Sequence, residues 1–182
     1  MASLQKLPVL FLLISLVLCF FSSRSINAKE DALQVACEKD KECLDLLKAD
    51  KEIIAAARKD LDLGLAIIKA IIAQTKTTHD YVLKKKMANP AYTSCEKEWL
   101  DMGPNFEMIL QRTRKNKGYK DDTDDYDLHN VGDAVGRCET SLKDAKVVDP
   151  EIERRGKVLA TLSAAANRAL THLSQKSRGL IK

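Results

Sequence analysis

The chain has 182 residues, with 30 lysines and arginines against 26 aspartates and glutamates, and a net charge of +4. Binding to nucleic acid normally shows a pronounced basic excess, so this balance argues for a different class of partner. Helix formers dominate and strand signals are nearly absent, which points to an all-α protein.

Lys6 is followed by an apolar run from Val9 to Phe21 broken by Ser15, then by Ser22, Ser23, Ser25 and Ile26-Asn27-Ala28. That order reads as a secretory signal peptide over residues 1–28, with cleavage after Ala28. The apolar run falls short of the roughly 20 residues a membrane anchor needs. Lys6 and Arg24 leave with the leader, so 28 basic residues remain against 26 acidic ones over residues 29–182. Cys19 leaves too, and Cys37, Cys43, Cys95 and Cys138 remain. Four cysteines in a secreted chain read as two disulfides with three possible connectivities. Zinc is the rival reading, but no Cys-x-x-Cys or His-x-x-x-His spacing supports it. No Asn-x-Ser/Thr sequon occurs, so N-glycosylation is not expected.

After a short cysteine-bearing segment, a helical stretch is expected from about Lys51 to Lys86. Leu61, Leu65, Ile68 and Ile72 form its inner face, widened by Leu63, Ile67 and Ile71. Lys84, Lys85 and Lys86 suit the carbonyl end of the helix dipole. Asn89-Pro90 offers a cap and a first helical residue for the second helix, and Thr93 with Glu96 offers a competing capping box. Cys95, Trp99, Met102, Phe106, Ile109 and Thr113 form the stripe of that helix, and Gly103-Pro104 should kink it. A polar connection runs from Arg114 to about Thr123.

The third helix carries Leu128, Val131, Val135, Cys138 and Leu142 on one face. Asp124, Asp125 and Asp127 lie at its amino end, where the dipole favours carboxylates. They do not align with the Asp-x-Asp-x-Asp-Gly pattern of a calcium loop. Asp149-Pro150-Glu151 opens the fourth helix, whose stripe is Leu159, Leu162, Ala166, Ala169 or Leu170, and Leu173. Four amphipathic helices with short or moderate connections favour an up-down-up-down bundle. In such a bundle the midpoint between Cys95 and Cys138 falls at Asn116-Lys117, inside the predicted connection. A Cys95–Cys138 bridge is therefore geometrically sensible and leaves Cys37 with Cys43. Along one straight helix that last pair would stand about 9 Å apart, so Glu38 to Glu42 should turn.

The spacing of these cysteines resembles the plant invertase and pectin methylesterase inhibitor family. The resemblance is carried by Val35-Ala36-Cys37 through Cys43-Leu44, Cys95-Glu96-Lys97-Glu98-Trp99, and Val131 to Glu139 with Gly132, Asp133, Gly136 and Arg137 inside it. The alanine- and leucine-rich stretch from Leu159 to Leu173 adds to it. It implies a helical hairpin over about 30–49, a four-helix bundle over about 50–174, and bridges within the first and within the second cysteine pair. It also implies a secreted inhibitor, apoplastic or vacuolar, that covers the substrate cleft of pectin methylesterase or, alternatively, of an acid invertase. Two departures stand out: Arg137 replaces the Thr that many pectin methylesterase inhibitors have before the fourth cysteine, and Ala145-Lys146-Val147-Val148-Asp149-Pro150 replaces the Pro-Lys-Phe of the invertase type.

Candidate partner-contact residues are the polar positions off the core stripes: Glu98, Asp101, Asn105, Asn130, Asp133 and Arg137. A secreted carrier for an apolar ligand is a third reading, and it would need a cavity among Ile67, Ile71, Trp99 and Phe106. No Gly-x-Ser-x-Gly elbow, phosphate loop or metal-ligand cluster is present, so neither catalysis nor a cofactor is expected.

Overall fold

Where each helix starts and stops follows from local chemistry. The computed structural model describes residues 30–119 and 128–181. The expected leader and the acidic run at Asp124, Asp125 and Asp127 lie outside these residues. Helical residues 30–37 (α1) end where Glu38 and Lys39 both take left-handed backbone, with φ of 49° and 67°. The chain reverses there. Asp40 then caps α2 (Lys41–Ala49) by accepting from the Cys43 N–H at 2.7 Å, and the Cys37–Cys43 disulfide closes the turn. The expected turn between these cysteines is thus present, and Lys48 reaches back to Glu30 at 2.9 Å to complete a hairpin.

The long stretch expected from Lys51 is two helices. Asp50 accepts from the Glu52 and Ile53 N–H groups and caps α3 (Lys51–Ala56), after which Lys59 is extended and α4 (Asp60–Ala88) begins. Asp60 and Asp62 stand in the first turn of α4, where carboxylates favour a new helix start. The inner face of α4 is also rotated from the expected one. Leu63, Ile67, Ile68 and Ile71 are fully buried, whereas Leu61, Leu65 and Ile72 are half-buried. Gly64 explains the rotation, because a Cβ there would lie 2.6 Å from a methyl of Leu170. The missing side chain lets the two helices approach, and this turns the Gly64 side of α4 inward.

Of the two start signals before the next helix, only Asn89-Pro90 is used as a cap. The Thr93 hydroxyl donates back to the Pro90 carbonyl and Glu96 pairs with Lys86, so the expected capping box does not form. Asn89 accepts from the Ala91 N–H and caps a 3-10 turn over Pro90–Tyr92, and α5 (Thr93–Asn116) follows. The helix continues through Pro104, and its expected stripe from Cys95 to Thr113 is buried on both sides of that residue. Pro104 lies on the exposed side, so the Leu100 carbonyl that loses a helical donor stays close to water. Lys117 in left-handed backbone ends the helix, with the Gly118 N–H donating to the Thr113 carbonyl at 3.0 Å.

Helix α6 (Val131–Asp144) buries Val131, Val135, Cys138 and Leu142 as expected. Helix α7 (Pro150–Ser177) buries Leu159, Leu162, Ala166, Ala169 and Leu170. The four long helices close a ring, α4 on α5, α5 on α6, α6 on α7 and α7 on α4. Contacts between their ends fix an up-down-up-down order. Lys86 at the end of α4 pairs with Glu96 at the start of α5, and Asp60 at the start of α4 meets His172 and Lys176 near the end of α7. The Cys95–Cys138 disulfide joins α5 to α6, with Cα atoms 4.3 Å apart. The hairpin lies against α7 through Glu42–Lys157 and Glu38–Arg168 pairs.

Asp149 ties three elements together. Its side chain accepts from the Glu151 and Ile152 N–H groups as the cap of α7. It also accepts from the Tyr92 hydroxyl at 2.6 Å and from the Tyr81 hydroxyl at 2.9 Å. Lys85 and Arg155 flank the Tyr81 ring, 5.3 and 5.0 Å from its centre. Burial would push the Asp149 carboxyl up, but these donors outweigh it and hold the carboxyl below its ordinary range. Burial and then the neighbouring Asp149 charge push the Tyr92 hydroxyl well above the usual phenol range.

Candidate functional site

Helix spacing presents two polar trios. Glu98, Asp101 and Asn105 share one side of α5, and Asn130, Asp133 and Arg137 occupy the same offsets at α6. The Cys95–Cys138 bridge sets the register between them, and five of the six residues line one surface groove of about 260 Å³. Its apolar lining is Met102, Phe106, Val131 and Ala134. Asp133 lies just outside, on an adjoining shallow surface shared with Glu98, Arg137, Gly132 and Gly136. The sequence-derived candidates are therefore one continuous face.

Arg137 spans the two helices. Its Nε donates to one oxygen of Glu98 at 3.0 Å and its Nη2 to the other at 2.8 Å, a bidentate pair. Glu98 keeps the guanidinium protonated beyond its already high range, and Asp133 adds to this. The Ser141 hydroxyl donates to Ser94 Oγ at 3.1 Å and makes a second link across the same seam. With the disulfide between them, these contacts hold the face at three levels.

The glycines give this face its relief. A Cβ on Gly132 or Gly136 would meet nothing within 4 Å. Packing therefore does not account for them, and Gly136, inside the helix, costs about 0.5–1 kcal/mol of helix stability relative to alanine, while Gly132, in the first turn, costs less. Gly156 differs, because a Cβ there would lie 2.5 Å from Val135 Cγ1, so that glycine serves the contact between α6 and α7.

A second groove, of about 730 Å³, runs between the end of α6 and the start of α7, bordered by Glu139, Lys143, Lys146, Val147 and Glu153. Sequence reasoning missed Glu139. Burial, and then the nearby Glu153 charge, raise its carboxyl above the ordinary range. A raised carboxyl contributes stability below its unfolded value that is lost as pH rises through its folded one. Glu139→Gln is therefore expected to raise the melting temperature at neutral pH. It should also flatten the wild-type gain on mild acidification, as followed by circular dichroism across pH.

Comparison with known proteins returned no matching family model and no matching curated sequence.

Proposed function

We propose that this protein is a secreted inhibitor that docks its α5–α6 face on pectin methylesterase and occludes the substrate cleft. The observation that carries the reading is the convergence of Glu98, Asp101, Asn105, Asn130 and Arg137 on one groove across a disulfide-joined helix pair. A face held at three levels loses little conformational freedom on association, which favours affinity for a given contact area. Gly132 and Gly136 fit the same reading, since bare helix backbone lets a partner approach closely at a cost in helix stability. The cell wall or the vacuole is the proposed location.

An acid invertase is the alternative target. What favours it is the connection between α6 and α7, where Lys146 takes left-handed backbone and Val148 is 84% exposed, so that the loop presents an apolar tip. The carrier reading has less in its favour, because Ile67, Ile71 and Trp99 are buried in the core and line neither the α5–α6 groove nor the α6–α7 groove.

Purified, disulfide-intact protein at micromolar excess should slow a plant pectin methylesterase at mildly acidic pH more than it slows sucrose hydrolysis by acid invertase. An unchanged pectin methylesterase rate would exclude the first target. The glycines supply a sharper test. Gly136→Ala is expected to raise stability by about 0.5–1 kcal/mol, as read from urea melts, and Gly132→Ala, in the first turn, by less, while both weaken inhibition. Undiminished inhibition by both variants would remove close approach at α6 from the account.

A further inference from the structure

The groove between α5 and α6 has a polar rim over an apolar floor. Glu98 is committed to Arg137 through both oxygens. Asp101 is exposed and makes no ion pair among the described residues. Three carboxylates (Glu98, Asp101 and Asp133) stand against one guanidinium, so the region is net negative. Its volume of about 260 Å³ is smaller than the roughly 300–1,000 Å³ of small-molecule sites and suits a single long side chain.

We propose that this groove receives one lysine or arginine side chain from the protein partner. Its alkyl stem would lie over Met102 and Phe106, as long basic side chains do on apolar surface, and its cation would meet Asp101 at the rim. The amide oxygens of Asn105 and Asn130 supply further acceptors, which a cation with several N–H donors can use together. An anionic side chain has no free cation to meet in this groove, because Arg137 is held by Glu98. An apolar side chain would desolvate Asp101 and both amides without replacing their water.

The proposal rests on the reading of this face as a protein-docking face, and the test uses the free protein so that the two can fail separately. Disulfide-intact, ¹⁵N-labelled protein is titrated with n-butylguanidinium, and with butyrate as the anionic control, by two-dimensional NMR. Butylguanidinium should shift Asp101, Asn105, Phe106 and the Asn130 side-chain amide, with a Kd on the order of millimolar as a ligand of its size allows. Asp101→Asn should weaken that binding several-fold with the melting temperature unchanged. Absent shifts, equal shifts from butyrate, or an unaffected Asp101→Asn variant would each overturn the groove assignment. Cation binding lost in Asp101→Asn carries the assignment even where pectin methylesterase is not inhibited, in which case the proposed target alone falls.

Discussion

Asp149→Ala should destabilise the protein by roughly 3–5 kcal/mol, because it removes a helix cap and two hydrogen bonds to a charged acceptor, contributions that share one carboxylate and do not add in full. Asp149 is 7% exposed and Tyr92 is 4% exposed, so the tyrosine hydroxyl would be left buried without its partner. In a domain of this size the melting temperature should fall by about 10–15 °C. The pH dependence has a definite sign. The Asp149 carboxyl is held below its ordinary range, so its stabilisation is present above the unfolded carboxylate value and disappears only as pH falls through the lowered one. The deficit of Asp149→Asn relative to wild type should therefore be largest at neutral pH and shrink in strong acid. Melts across pH on both proteins check this, and a constant deficit would mean that the charge contributes nothing.

The two disulfides should differ in worth. Cys95 and Cys138 are 43 residues apart and Cys37 and Cys43 only six. Loop-closure entropy then assigns about 4 kcal/mol to the first bridge and about 2 kcal/mol to the second. Alanine at both members of a pair avoids burying a hydroxyl, since all four cysteines are buried. Urea melts should show Cys95→Ala/Cys138→Ala losing about twice the stability of Cys37→Ala/Cys43→Ala. The first pair of substitutions should also cost more inhibition, because it frees α6 from α5 at the level of Arg137 and Glu98. Removal of the hairpin bridge leaves that face intact. If the order is reversed, the proposed role of the long-range bridge fails.

How far the sequence foretold the fold varied with the helix. The stripes of α5 and α6 were readable because the apolar residues of each follow a single line at three- and four-residue spacing. Helix α4 carries two overlapping apolar lines, and periodicity alone cannot choose between them. Gly64 against Leu170 chose, and that contact exists only after the helices pack. Asp149 was readable as a cap from Asp-Pro-Glu, because a cap is local. Its tyrosine partners lie 57 and 68 residues away, and nothing in the local pattern marks them.

The candidate site divides in the same way. Spacing put each polar trio on one side of its helix. The meeting of five of them across one groove, with Asp133 just outside it, depends on the register of α5 against α6, which the Cys95–Cys138 bridge sets. The Arg137–Glu98 pair was not foreseen because each residue, taken alone, reads as solvated surface. Glu139 was hidden because its raised carboxyl depends on burial and on Glu153 across the helix pair.

Amide hydrogen exchange with and without pectin methylesterase tests the central claim most directly. The account predicts slower exchange in the complex over residues 98–106 and 130–137, with the hairpin at 30–49 unaffected. Protection confined to residues 145–149, or to the hairpin, would contradict it.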